Sequence, residues 1–114
     1  MRIMDMWYGG WIALVLALSG ATSLASERME DGKRSYEAIC AKCHETGVEG
    51  APVVGRAEDW AERPQLWEAV LMEHADDGYI KMPARGDADY ATEYDVKAAA
   101  EYMLHLTYPD LPAD

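Results

Sequence analysis

The stretch that most constrains this chain is Cys40-Ala41-Lys42-Cys43-His44, which gathers two thiols and an imidazole into five residues. On a helix, thiols three positions apart lie on neighbouring azimuths and a histidine four after the first joins them, so all three side chains face one partner. The pattern reads as an attachment site for a c-type haem, with the sulfurs of Cys40 and Cys43 forming thioethers and His44 coordinating iron from one side. Other readings use the same residues. A dithiol redox site shares the spacing but sits at a strand-to-helix turn, and no strand-helix-strand pattern accompanies the motif. A zinc site needs a fourth ligand, and with no further cysteine in the chain only His74 or His105 would supply it. A disulfide across the short loop, or a chance occurrence, completes the alternatives.

The N-terminal stretch reads as a targeting segment. No charged residue lies between Met6 and Ser26, and the apolar centre Trp11-Ile12-Ala13-Leu14-Val15-Leu16-Ala17-Leu18 follows a short start carrying Arg2. Ser23-Leu24-Ala25 then offers the small-x-small pattern of a cleavage site, so residues 1–25 are expected to be a signal peptide and residues 26–114 one small domain. An uncleaved membrane anchor is the rival, weakened by Gly9, Gly10, Ser19, Gly20, Thr22 and Ser23, which dilute the run below the ~20 apolar residues of a span. A domain this small has a marginal core, and a large buried ring would add much of the missing apolar contact.

The formal charge is −11, and removing Arg2 and Asp5 with a leader leaves it unchanged. Nucleic acid and anionic membrane surfaces reward Lys and Arg and are therefore poor partners, unless a retained N-terminus reaches a membrane. A redox protein with a basic docking face suits an acidic carrier better, and a homodimer is a further option; acidity as a plain solubilising device is the alternative.

Along the chain, a polar lead Ser26–Asp31 precedes a first helix expected over Gly32 to Cys43, with Gly32, Tyr36, Ile39, Cys40 and Cys43 on one side. Glycine inside a helix costs about 1 kcal/mol, so Gly32 predicts either a close helix crossing or a loose N-terminus. The run from Glu45 to Gly55 is loop chemistry, either an ordinary surface turn or one whose backbone near Pro52 accepts the second N–H of the His44 imidazole. After Trp60 and Arg63, Pro64 opens a helix expected over Gln65 to His74, with Leu66, Trp67, Val70 and Leu71 on its buried face and Gly78 as its cap. Met82 precedes Pro83, which blocks helix formation and frees the thioether to project into a pocket as a soft iron ligand. Met29, Met72 and Met103 read as core or pre-fold methionines instead. A last helix is capped by Thr92 with Asp95, presents Val96, Ala99, Ala100 and Met103, and closes near His105. Its Ala98-Ala99-Ala100 surface matches Gly32 and Tyr36 for close approach.

Taken together, Gly32 and Tyr36, the Cys40 to His44 motif, Gly47, Gly50-Ala51-Pro52, Gly55, Trp60 with Arg63, Glu73-His74-Ala75, Met82-Pro83-Ala84-Arg85-Gly86 and Val96-Lys97-Ala98-Ala99 before Tyr102-Met103 resemble the small class I cytochromes c, in particular the cytochrome c5-like bacterial group. The resemblance implies an all-α fold of about four helices around one covalent haem c, with the N- and C-terminal helices crossing. It implies Met82 as the distal ligand, the Pro52 carbonyl holding His44, and Trp60 and Arg63 near the haem propionates. It also implies a periplasmic electron carrier, not an enzyme, passing single electrons between redox proteins. A sensor or peroxidase-like module with a labile sixth ligand, and a membrane-tethered oxidoreductase subunit, are the alternatives. One departure is Asp87, where the family usually continues with a second glycine.

Overall fold

The computed structural model describes residues 20–61 and 68–110. The elements in order are α1 (Gly20–Ser35), a π turn (Tyr36–Cys40), α2 (Ala41–His44), a 3-10 turn (Val48–Gly50), α3 (Ala57–Ala61), α4 (Glu68–Asp77), a second 3-10 turn (Ala84–Asp87) and α5 (Glu93–Thr107). No β-strand occurs among the described residues, where Tyr79 and Met82 form an isolated bridge. The expected all-α class is what the described residues adopt.

The first helix corrects the expectation at its start. It is already helical at Gly20, the first described residue, well before Gly32, and continues with helical backbone through the π turn into the cysteine motif. The polar lead is helical because its side chains find partners on α5. Arg28 pairs with Glu101 and lies 5.2 Å from the Tyr94 ring centroid, while the Tyr94 hydroxyl donates to Asp31 at 2.9 Å. Leu24, Ala25, Glu27, Arg28, Met29 and Glu30 are also good helix formers. Residues 1–19 lie outside the described part, and no described helix is long and apolar enough to cross a membrane.

Gly32 is where α1 crosses α5. A Cβ built there would overlap Ala98 O and stand 2.9 Å from the Ala98 carbonyl carbon, so only glycine lets the backbones meet this closely. One turn later the Tyr36 and Tyr102 rings pack with centroids 5.5 Å apart, and Tyr36 joins Ala99 and Met103 in a buried cluster. A second cluster, Ile39, Ala88, Ala91 and Val96, lies beside it, and Cys40 packs against both. Of the small residues expected on α5, Ala98 and Ala99, at most 1% exposed, meet Gly32 and Tyr36, while Ala100 lines a cavity.

The ends of α4 and α5 follow their sequence signals. Thr92 and Asp95 form a reciprocal capping box, each backbone N–H bonded to the other's side chain at 3.1 Å. Gly78, at φ +87°, donates its N–H to His74 O at 2.9 Å and ends α4. The helix expected from Gln65 is described from Glu68 onward; Gln65, Leu66, Trp67 and Arg63 lie outside the described residues. The short α3, with Glu58 and Asp59 in its first turn, was not anticipated.

Candidate functional site

A cavity of about 750 Å³ opens beside the cysteine motif. Ile39, Leu71, Val96, Ala99, Met103 and Leu104 give it largely apolar walls, Cys40, Cys43 and His44 line it from the first helix, and Met82 lines it from the loop after α4. Pro52 and Trp60 line it as well, so six of the seven expected site residues border one space; the seventh, Arg63, is not described.

His44 is 8% exposed, and its Nδ1 stands 2.8 Å from Pro52 O. With an N–H at Nδ1 donated to that carbonyl, the lone pair resides on Nε2, the tautomer a metal ligand requires. The carbonyl is itself held by a network around the next three residues. Val53 N–H donates to Asp59 Oδ2 at 3.0 Å, Val53 O accepts from Trp60 Nε1 at 2.9 Å, Val54 N–H donates to His44 O at 2.9 Å and Gly55 N–H to Thr107 Oγ1 at 3.0 Å. Trp60 also stacks on His44, ring centroids 6.0 Å apart and 19° from parallel. Its indole N–H is thus committed to the chain's own backbone. Asp59 and Thr107 were missed in the sequence because their roles depend on folding a loop back on α3 and α5.

The Met82 loop is built as tightly. Tyr79 and Met82 exchange backbone hydrogen bonds of 3.0 and 2.9 Å, and Pro83 holds extended backbone at φ −69°, ψ 154°. Behind it Arg85, Gly86 and Asp87 all occupy left-handed backbone, at φ +54°, +58° and +66°. Arg85 braces this segment, its Nε on Asp76 Oδ1 at 2.9 Å and its other arm on Ala91 O at 2.7 Å. Lys42, inside the cysteine motif, donates to Gly86 O at 2.8 Å. Both cations fall within stretches the sequence marked, yet neither was given a role there, since a lysine or arginine carries no mark of the carbonyl it will reach. His74, a candidate zinc ligand by sequence, stacks face to face on Tyr79 with ring centroids 3.9 Å apart.

The alternatives to haem fit this arrangement poorly. The nucleophilic cysteine of a dithiol redox site has a lowered pKa, whereas burial pushes the Cys40 thiol up to about 11 despite the opposing charge of Lys42. The two cysteines are not joined in a disulfide, and no group of three His, Cys, Asp or Glu among the described residues is arranged to hold a bare metal ion. An apolar cavity with two thiols, an oriented imidazole and a thioether is instead a donor set that fits a haem.

Comparison with known proteins agrees. A family model described as cytochrome C oxidase, cbb3-type, subunit III matches residues 27–103. The chain is 39% identical over 77 residues to cytochrome c-555 of Chlorobaculum tepidum, covering 64% of this chain and 71% of that protein. It is 44% identical over 66 residues to cytochrome c-551 of Halorhodospira halophila, covering 57% and 80%. Among solved structures, a chain of an electron transfer complex of nitrite reductase with cytochrome c superposes with a TM-score of 0.61 at 31% identity, covering 68% of this chain and 94% of that one. The chain belongs to the c-type cytochrome family that this match describes, as a small class I member with haem c as its cofactor, which carries electrons and is not an enzyme.

Proposed function

We propose that Cys40 and Cys43 anchor the haem through thioethers and that His44 and Met82 are its axial ligands, which makes the protein a closed, six-coordinate single-electron carrier. The observation that carries this reading is that His44, with Nδ1 turned to Pro52 O, and the Met82 loop border the same apolar cavity as both cysteines. When bound, haem iron supplies the one-electron couple; the chain's own residues set its surroundings. His44 is oriented by Pro52, Trp60 fixes the adjoining Val53 carbonyl, and the apolar walls exclude water. A thioether on the sixth position raises the reduction potential and closes the iron to oxygen chemistry. Arg63 is assigned with Trp60 to the propionate side on family resemblance.

The protein is assigned to the periplasm, with residues 1–25 as its export signal, and its redox partners to proteins whose surroundings are basic, as suits a charge of −11. A second reading, a tethered subunit of a membrane oxidase, draws on the description of the matching family. A native protein beginning at Met1 would favour the subunit and one beginning at Ser26 the free carrier. For the ligand set, the test is the ferric absorption spectrum of Met82→Ala: loss of the methionine-to-iron charge-transfer band is expected, and its survival would remove Met82 from the iron.

A further inference from the structure

The peptide joining Pro52 to Val53 is engaged from both edges. Its oxygen stands 2.8 Å from His44 Nδ1, and its N–H donates to Asp59 Oδ2 at 3.0 Å. In a trans peptide these two groups point to opposite edges of one conjugated plane, so the imidazole and the carboxylate meet only through it. An amide whose N–H meets a carboxylate shifts electron density onto its oxygen, and the bonds of such a chain strengthen one another. The effect reaches the ring. A more negative Pro52 oxygen draws harder on the Nδ1 proton and makes Nε2 the stronger electron donor.

Holding the loop does not require a carboxylate at position 59. Trp60 Nε1 already fixes the Val53 carbonyl and Thr107 Oγ1 the Gly55 N–H, and a neutral amide would accept from Val53 N–H as well. The Asp59 side chain is 28% exposed where that of neighbouring Glu58 is 78% exposed, so water screens it less. Arg56 Nη1 stands 3.7 Å from the same Oδ2, longer than a hydrogen bond, on a side chain itself 55% exposed. It opposes the Asp59 charge without cancelling it.

We propose that Asp59 is a positioning residue for electron transfer: through the Pro52–Val53 peptide it sets the donor strength of His44 and so lowers the reduction potential of the haem. The proposal rests on the ligand reading above. In metal sites where carboxylate and imidazole touch, the carboxylate raises the basicity of the ligand directly. Here one backbone amide stands between them. Stronger donation from Nε2 favours oxidised iron, so Asp59 acts against the Met82 thioether, which favours the reduced state.

The test is potentiometry of the holoprotein together with the proton NMR resonance of His44 Nδ1–H in the reduced state, for wild type, Asp59→Asn, Glu58→Gln and Arg56→Gln. Asparagine keeps an acceptor for Val53 N–H and removes the charge. Asp59→Asn is expected to favour reduction by a fixed donor about three- to tenfold, tenfold being about 59 mV for one electron. It is also expected to move Nδ1–H upfield, with the methionine-to-iron band retained. Glu58→Gln removes an equal charge one residue away, and is expected to move the potential far less and leave Nδ1–H in place. Arg56→Gln removes the opposing cation and is expected to move Nδ1–H downfield. A Glu58→Gln potential that rises as far as that of Asp59→Asn would overturn the proposal in favour of plain surface charge. An Asp59→Asn protein in which Nδ1–H stays in place overturns it as well, whether or not the potential moves. Should Asp59→Asn fail to fold, Arg56→Gln decides, and an unmoved Nδ1–H there overturns the proposal. A wild-type spectrum without methionine-ligated haem fails the ligand reading itself, and the proposal with it, before any variant is compared.

Discussion

Lys42 Nζ donates to Gly86 O at 2.8 Å, so the residue between the two cysteines clasps the loop that carries Met82. The same loop seats against the motif helix from behind, where a Cβ at Gly86 would stand 3.1 Å from Ile39 Cγ2. The cysteine motif and the Met82 loop are thereby joined directly. A single charged hydrogen bond contributes about 1 kcal/mol. Lys42→Met is therefore expected to lower stability by about that amount and to make the methionine-to-iron band fade at a lower temperature, with the haem still attached; thermal scans at that band and in far-UV circular dichroism check it.

Gly32 is the tightest point of the α1–α5 crossing. Gly32→Ala puts a methyl group against the Ala98 carbonyl and forces the helices apart, which costs about 1–3 kcal/mol as overpacking. Denaturant unfolding is expected to show a lower midpoint, in spite of alanine's better helix propensity.

Asp87 holds left-handed backbone at φ +66° at the end of the turn that follows Met82. Aspartate tolerates this region better than most residues, yet glycine enters it without penalty. Asp87→Gly is expected to raise stability by up to about 1 kcal/mol and to leave the ligand-band spectrum unchanged, as read by thermal unfolding followed in the visible range.

Lys97 joins α4 to α5, donating to Glu73 at 3.0 Å and pairing with Glu93 one turn before it. Hydrogen bonding from Lys97 holds the Glu93 carboxyl below its usual range. A carboxyl whose folded pKa is depressed adds stability above its unfolded value, and that stability is lost as pH falls through the folded value. Lys97→Met is therefore expected to melt slightly below wild type at neutral pH, with the difference fading as pH falls below the ordinary glutamate range and shrinking in high salt. Paired melting curves across pH 2 to 7 measure it.

Much of this site was legible because its chemistry is local. Cys40, Cys43 and His44 lie within one turn, and a methionine pinned by Pro83 announces its own exit from helical structure. Gly32 left two readings, a close crossing or a loose N-terminus, and the contact with Ala98 selects the crossing. What stayed hidden depends on distant partners. The helical lead from Gly20 rests on the contacts of Arg28 and Asp31 with α5, the Pro52 carbonyl is held by Asp59, Trp60 and Thr107, and Arg85 finds Asp76 and Ala91 only after the loop has closed. The π turn at Tyr36–Cys40 left no mark in the apolar spacing, which reads as an ordinary helix. The positive φ of Ile80 was invisible for the same reason, because nothing in the residue's identity suggests left-handed backbone.

The measurement that bears most directly on the whole account is the absorption spectrum of the native protein, oxidised and reduced, set beside that of Met82→Ala. The account predicts covalently held, low-spin haem in the native protein, with a methionine-to-iron charge-transfer band in the oxidised state that Met82→Ala lacks. A native spectrum without haem bands, or a Met82→Ala spectrum that keeps the band, would contradict it.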